Sequence, residues 1–134
     1  MKRIYIDANV FVQGIIRGHK KSKEVIMRIA KKEFVGVTSV LSWDEMVFCV
    51  GKFLGKDVAN IEGAKFFTLP NFIFIDAKKE IIVKAQKLCE IYDIKPRDAI
   101  HCATALHLGI KEIISEDKDF DKVKKLKRID PGKI

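Results

Sequence analysis

Short strand-like runs alternate with helical segments along this chain, and that alternation limits the folds open to it. The strand-like runs are β-branched or aromatic and cover residues 3–6, 34–38, 72–75, 112–115 and 127–129. Helical patterns fill the intervals at residues 8–16, 23–32, 43–54, 57–67, 77–92 and 96–107. Ser22 is the candidate cap of the second helix, and Pro96 opens the last one. Strands alternating with helices predict an α/β domain with a mostly parallel sheet and helices on both faces.

The length and composition fit one domain spanning residues 1–134. Hydrophobic residues make up 48% of the 134 residues, which is enough for a core, and we find no linker or repeat. The apolar runs fall short of the roughly 18–20 residues that a membrane span needs, and an early acid argues against a signal peptide. The three cysteines are scattered, which favours reduced thiols over a zinc site or a disulfide framework. We therefore expect a cytoplasmic protein with no membrane segment.

The charge balance favours a polyanionic partner. Lys and Arg total 26 against 18 Asp and Glu, so the formal net charge is +8. Nucleic acid is the first candidate partner, although a basic surface also suits an acidic protein or no specific partner. The basic patch at residues 122–128 follows the acidic turn 117–121, and it fits a phosphate-binding rim about as well as an ordinary solvated surface.

Four acids fall close to predicted strand ends or helix starts. Asp7 directly follows the first strand, and Glu45 follows the second by about one helical turn. Asp117 lies just past the fourth strand, and Asp98 lies in the first turn after Pro96. Ligands of open parallel sheets bind beyond the carboxyl ends of the strands. We expect Asp7, Glu45 and Asp117 at that edge, joined by Asp98 if its helix start points the same way.

Carboxylates that converge in one cleft favour a bound divalent cation. They repel one another and raise each other's pKa, and a divalent cation removes that cost. Oxygen ligands favour Mg²⁺ or Mn²⁺ over zinc. Such a metal activates water and polarises phosphate, so an acidic cleft in a basic protein is typical of a nuclease.

Each acid also has an ordinary structural explanation. Asp7 fits a helix cap, and Asp98 fits the favourable end of a helix dipole. Glu45 fits a solvated helical stripe and has Asp44 as a rival, while the acidic turn around Asp117 fits a solvated loop. At this stage both kinds of explanation stay open.

Four segments of the chain resemble the motifs of PIN-domain ribonucleases, and the length is similar to that of VapC-type toxins of toxin–antitoxin pairs. The segments are residues 4–11, 41–46, 96–105 and 113–121. The resemblance implies helices sandwiching a central parallel sheet of about five strands. It also implies Mg²⁺- or Mn²⁺-dependent cleavage of RNA, a homodimer, and neutralisation by a protein antitoxin.

The resemblance assigns the site residue by residue. The catalytic acids are Asp7, Glu45, Asp98 and Asp117, and the supporting polar residues are Asn9 and Ser42. Asp7 and Asp98 are the principal metal ligands, with Glu45 and Asp117 as candidates for a second metal or for orienting the attacking water. Residues 51–70 offer no site.

Other residues near these motifs favour plainer roles. Asp119 and Asp121 fit solvated or capping positions better than ligands. His101 lies one turn after Asp98, and a structural or exposed histidine is favoured over a general base because a metal-bound water needs no histidine. The aromatic residues of the third helix fit a core or dimer interface better than base stacking: Trp43, Phe48 and Phe53.

Competing functions remain. A haloacid-dehalogenase-like phosphatase would need a second acid at the place of Asn9, and a response-regulator receiver would need an acid pair that is missing. A degenerate PIN module that only binds RNA is disfavoured because all four acid positions are filled. A PIN nuclease of RNA processing, without an antitoxin, stays open.

Overall fold

The five strands of the protein form a single parallel sheet in the order β3-β2-β1-β4-β5 in the computed structural model, which describes residues 1–134. The strands are β1 (Arg3–Ile6), β2 (Val35–Ser39), β3 (Phe72–Ile75), β4 (Glu112–Ile114) and β5 (Lys127–Ile129). The helices are α1 (Ala8–Ile16), α2 (Lys20–Ala30), α3 (Leu41–Leu54), α4 (Lys56–Phe66), α5 (Lys79–Ile91) and α6 (Pro96–His107). Two short 3-10 helices follow, at Lys118–Lys122 and Pro131–Lys133. The predicted α/β class and its parallel sheet are confirmed.

The sheet is buried on both faces because the side chains of its central strands alternate. Ile4 and Ile6 of β1 point into a core shared with α1, α2, α3 and α4. Tyr5 points to the opposite face, where it joins Cys102 of α6 and Ile113 of β4. A period of two along a strand that is covered on both sides produces this three-layer arrangement.

The start of α2 differs from the sequence prediction. The helix begins at Lys20 rather than residue 23, and its cap is His19, whose side chain accepts a hydrogen bond from the Ser22 N–H at 3.3 Å. Ser22 is turned inward and buried, and its hydroxyl lies 2.8 Å from His19 Nδ1. Cap preferences rank Ser far above His. We infer that the burial of Ser22 inside the helix, rather than cap preference, sets the start of α2.

The aromatic residues of α3 are not core residues. Phe48 and Phe53 expose 63% and 65% of their surface, and Trp43 exposes 39%. The core interpretation of these residues is therefore wrong, while the dimer interface and base stacking stay predictions.

The order of the strands creates a topological switch point at the carboxyl edge of the sheet, between β1 and β4. The chain builds outward from β1 through β2 to β3, and β4 then pairs with the other side of β1. Asp7 follows β1 and Ser115 follows β4, and the Asp7 N–H donates to the Ile114 carbonyl at 3.1 Å. Ligand sites of open α/β sheets lie at such switch points.

No helix of the chain has the length and apolar character that crossing a membrane requires.

Candidate metal and active site

Asp7 occupies the helix-cap position of α1 but does not act as its cap. Its backbone is extended, yet its side chain makes no capping hydrogen bond. Instead Oδ2 accepts a 2.7 Å hydrogen bond from the Ser115 hydroxyl, and the residue is only 5% exposed. A buried carboxylate that is free of capping is available to a ligand, so the capping explanation does not account for it.

Ser115 connects three of the polar groups at this edge. Its hydroxyl donates to Asp7 and accepts from the Asp117 N–H at 3.0 Å and from Asn9 Nδ2 at 3.2 Å. A hydroxyl has one donor and two acceptor positions, so every hydrogen-bonding position of the Ser115 hydroxyl is occupied. Ser115 is not among the predicted site residues. The available signal was its position directly after β4, which mirrors that of Asp7 after β1.

Asn9 presents an unpaired oxygen. Its amide group donates to Ser115, which fixes the orientation of the side chain and leaves Oδ1 buried with no hydrogen-bond partner. Leaving a buried acceptor unpaired costs about 1–3 kcal/mol. A cation or an ordered water beside Oδ1 would remove that cost.

Glu45, rather than Asp44, enters the site. The Glu45 side chain is 15% exposed, and its Oε2 lies 2.8 Å from His101 Nε2. Asp44 is 57% exposed and faces Arg97 at 3.8 Å. The solvated-stripe explanation of Glu45 is therefore wrong.

His101 is a buried residue of the acidic edge. Its ring has no exposed surface, and Nε2 lies 3.8 Å from Asp7 Oδ1 as well as beside Glu45. Burial alone would lower the pKa of His101, but the hydrogen bond to Glu45 and the nearby Asp7 carboxylate reverse this and raise it. Of the two favoured roles, structural and exposed, the geometry supports the structural one.

Three further acids gather at the start of α6. One carboxylate oxygen from each of Asp98, Asp117 and Asp119 lies within 4.8 Å of the others. Asp117 also caps the following 3-10 helix, since its Oδ1 accepts the Asp119 N–H at 2.9 Å. Asp119 keeps the predicted solvated character, since its side chain is 37% exposed and pairs with Lys122 at 3.3 Å, but it also lies beside Asp98 and Asp117. Asp121 points away and pairs with Arg128 at 2.9 Å.

Asp7 and Glu45, which lie beside His101, and the three acids at the start of α6 influence one another's charge. Burial raises the pKa of Asp98, and the carboxylates of Asp117 and Asp7 raise it further, to about 6. Burial is also the main cause that raises the pKa of Asp7, with Glu45 adding to it against His101 and Ser115. All four sequence-predicted acids thus share one electrostatic environment, in which the charged forms of Asp7 and Asp98 are penalised.

Ser42 does not touch this carboxylate cluster. It is fully buried, and its hydroxyl lies 2.7 Å from that of Thr38. Thr38 donates its own proton to the Ile6 carbonyl at 2.8 Å, so Ser42 is the donor to Thr38. Ser42 therefore supports the backbone just before Asp7 and not the carboxylate itself.

The donor set fits a hard divalent cation. It offers carboxylate oxygens from separate elements and the unpaired Asn9 Oδ1, and no thiolate belongs to either acidic group. Mg²⁺ and Mn²⁺ prefer such oxygens, and a cation would relieve the repulsion that raises the Asp98 pKa.

Fold and site together define an α/β protein with a cluster of acids that could hold a metal ion at the carboxyl edge of its sheet. The family model of the PIN domain matches residues 4–126. The chain therefore belongs to the PIN domain family.

Curated and solved proteins agree with this placement. The chain is similar to Ribonuclease VapC2 of Methanocaldococcus jannaschii, with 23% identity over 90% of this chain and 89% of that protein. The fold is similar to that of VapC20 from Mycobacterium tuberculosis, described as a Sarcin-Ricin loop cleaving toxin (TM-score 0.74, 17% identity, 88% of this chain and 92% of that one). It is also similar to DNA-bound VapBC from Salmonella typhimurium (TM-score 0.77, 12% identity, 98% of this chain and 99% of that one).

Proposed function

We propose that this protein is a metal-dependent endoribonuclease and the toxin of a toxin–antitoxin pair. The observation that carries the proposal is the convergence of Asp7, Glu45, Asp98 and Asp117 at the switch point of a PIN-family sheet. The relatives named as a ribonuclease and as a Sarcin-Ricin loop cleaving toxin support RNA as the substrate class.

The four acids divide the work of holding the metal. Asp7 and Asp98 are its principal ligands, and Glu45 and Asp117 complete the acidic cluster. A bound Mg²⁺ or Mn²⁺ supplies charge neutralisation of the scissile phosphate and activation of water. Ser115 holds Asp7 in place through its 2.7 Å hydrogen bond.

Basic residues around the cleft bind the RNA backbone, but they are not equivalent. Arg128 is only 14% exposed at its side chain, and its guanidinium donates to the Ser115 carbonyl at 3.0 Å and to Asp121. Arg128 therefore braces the end of β4 and is not available to phosphates. Lys124 and Lys125 lie exposed on the same segment and are the better candidates for phosphate contacts.

A protein antitoxin is the proposed partner, and an apolar groove is its proposed docking place. A cavity of about 360 Å³ lies where α1, α2 and α4 meet, lined by Val10, Phe11, Met27, Phe66 and Leu69 among others. Helix α1 begins directly after Asp7, so a segment lying in this groove can reach the acids. An Arg side chain of that segment would replace the charge of the metal, because its planar fork pairs with carboxylates and stays charged. Solved relatives described as toxin–antitoxin complexes support this partner.

Two further assignments belong to the proposal. The exposed aromatic residues of α3 form the contact of a homodimer. An RNA substrate and reduced cysteines are consistent with action in the cytoplasm.

The direct experiment is incubation of the protein with a panel of structured RNAs in Mn²⁺, Mg²⁺ or EDTA, followed by mapping of the cut ends. We expect discrete cuts with either metal and none in EDTA. Asp57→Asn, at an exposed acid of α4, is the matched control for the acidic-site variants and keeps full activity. Full cleavage in EDTA would contradict the metal mechanism.

A further inference from the structure

A chain of hydrogen bonds ties Glu45 to the centre of the sheet. His101 Nε2 lies 2.8 Å from Glu45 Oε2, and His101 Nδ1 lies 2.6 Å from the Tyr5 hydroxyl. The Tyr5 hydroxyl in turn accepts the Ser39 N–H at 3.0 Å. The chain joins α3, α6, β1 and β2, the elements that surround the carboxyl edge of β1.

The direction of these bonds follows from the groups involved. An ionised carboxylate only accepts, so His101 Nε2 carries the proton shared with Glu45. The backbone N–H of Ser39 only donates, so the Tyr5 oxygen accepts there and its proton is free for His101 Nδ1. If His101 is doubly protonated, Nδ1 donates to the Tyr5 oxygen instead. The bond to Glu45 is the same in both states.

Burial fixes Tyr5 and His101 in place, whereas the Glu45 carboxylate that they hold is only partly buried. Tyr5 and His101 have no exposed surface, and their rings pack with centroids 5.6 Å apart. Glu45 has three rotatable side-chain bonds and lies at the margin of the cleft with its side chain 15% exposed. His101 is the one protein group that donates to the Glu45 carboxylate, so the Glu45 orientation depends on this donor.

We propose that His101 is a positioning residue that holds the Glu45 carboxylate in the orientation needed for metal binding, with Tyr5 fixing the imidazole ring. The inference rests on the proposed function for the role of Glu45. His101 itself touches neither substrate nor metal in this account, because its Nε2–H is committed to Glu45. Outer partners of this kind tune a metal site through the ligands that they orient.

The test compares His101→Leu, His101→Gln and Tyr5→Phe with two matched controls. His107→Gln changes another histidine of α6, which faces Lys84 away from the acids, and Tyr92→Phe changes the other tyrosine. Mn²⁺ affinity is measured by electron paramagnetic resonance, and kcat and KM are measured on a mapped RNA. Circular dichroism melting establishes that each variant is folded.

We expect His101→Leu to weaken Mn²⁺ binding and lower kcat, each by roughly 10–100-fold, with KM little changed. His101→Gln restores most of both because its amide N–H can reach Glu45, and Tyr5→Phe gives a smaller loss. In a Glu45→Ala background, His101→Leu has no further effect, because the residue acts through Glu45. Both controls behave as the wild type.

Three results would overturn the inference. They are wild-type Mn²⁺ affinity in folded His101→Leu, equal losses in the Leu and Gln variants, and a full additional loss in the Glu45→Ala background. Should His101→Leu not fold, unchanged Mn²⁺ affinity in Tyr5→Phe together with a full loss in His101→Gln overturns it. A wild-type protein that binds Mn²⁺ yet cuts no RNA contradicts the proposed function instead, and the Mn²⁺ affinities still decide the role of His101.

Discussion

The Ser115 hydroxyl donates a 2.7 Å hydrogen bond to Asp7 Oδ2, although 108 positions separate the two residues in the chain. The bond exists because β4 pairs with β1 in a register that places Ile114 opposite Ile6. Asp7 and Ser115, which directly follow these two residues, therefore lie next to each other at the carboxyl edge of the sheet. The geometry of the acidic site is thus set by strand pairing as well as by the acids.

Replacing Ser115 with Ala should damage both the site and the fold. The change removes the donor to Asp7 and leaves the half-buried Asp117 N–H and Asn9 amide without their acceptor. We expect a loss of about 1–3 kcal/mol in the free energy of unfolding and a roughly 10–100-fold weaker metal affinity. Urea unfolding and Mn²⁺ titration measure the two effects. Unchanged metal affinity would show that Asp7 needs no support from Ser115.

Metal binding should stabilise the folded protein. A ligand that binds only the native state at about 100 times its Kd adds about 2.7 kcal/mol to the free energy of unfolding. Mg²⁺ or Mn²⁺ should therefore raise the Tm, and Asp98→Asn should reduce that rise while Asp57→Asn leaves it intact. Thermal scans with and without metal provide the comparison. An Asp98→Asn protein with the full metal-induced shift would remove Asp98 from the ligand set.

Asp98 should make a contribution to the stability of the metal-free protein that falls as pH rises. The pKa of Asp98 is about 6 in the folded state against an ordinary 3.8, so the native state binds this proton more tightly than the unfolded state. The contribution of Asp98 to the free energy of unfolding consequently falls as pH rises from about 4 to about 6. In EDTA, the Tm of Asp98→Asn should fall less than that of the wild type across this window. Parallel Tm curves for the two proteins would contradict the raised pKa of Asp98 in the folded state.

The apolar groove should be needed for the antitoxin and not for catalysis. Met27 lines the groove and is 56% exposed, so Met27→Glu places a charge there without disturbing the core. We expect Met27→Glu to abolish co-purification of the product of an adjacent small gene while RNA cleavage continues. Ile91→Glu, at an exposed apolar residue of α5, is the matched control. If the Met27→Glu protein captured the antitoxin as strongly as the wild type, the antitoxin would dock outside this groove, which would contradict the prediction.

The sequence predicted the sheet and the positions of the acids better than it predicted their partners. Strand and helix periodicity is local, and several elements, α1 and α6 among them, begin and end where the pattern indicated. The bonds from Ser115 to Asp7 and from His101 to Glu45 depend on pairing between distant segments, which no local pattern carries. Residues 51–70 illustrate the same limit, since they contribute α4 to the apolar groove although their sequence suggested no site.

Cleavage of one mapped RNA by the wild type and by Asp7→Asn, with RNA binding measured in parallel, tests the central claim most directly. Asn keeps the size of the side chain but removes the charge that holds the metal, whereas RNA binding depends on Lys and Arg. We predict that Asp7→Asn abolishes Mn²⁺-dependent cleavage and binds RNA within about threefold of the wild type. Cleavage by Asp7→Asn at the wild-type rate would contradict the assignment of the acidic edge as a metal-dependent ribonuclease site.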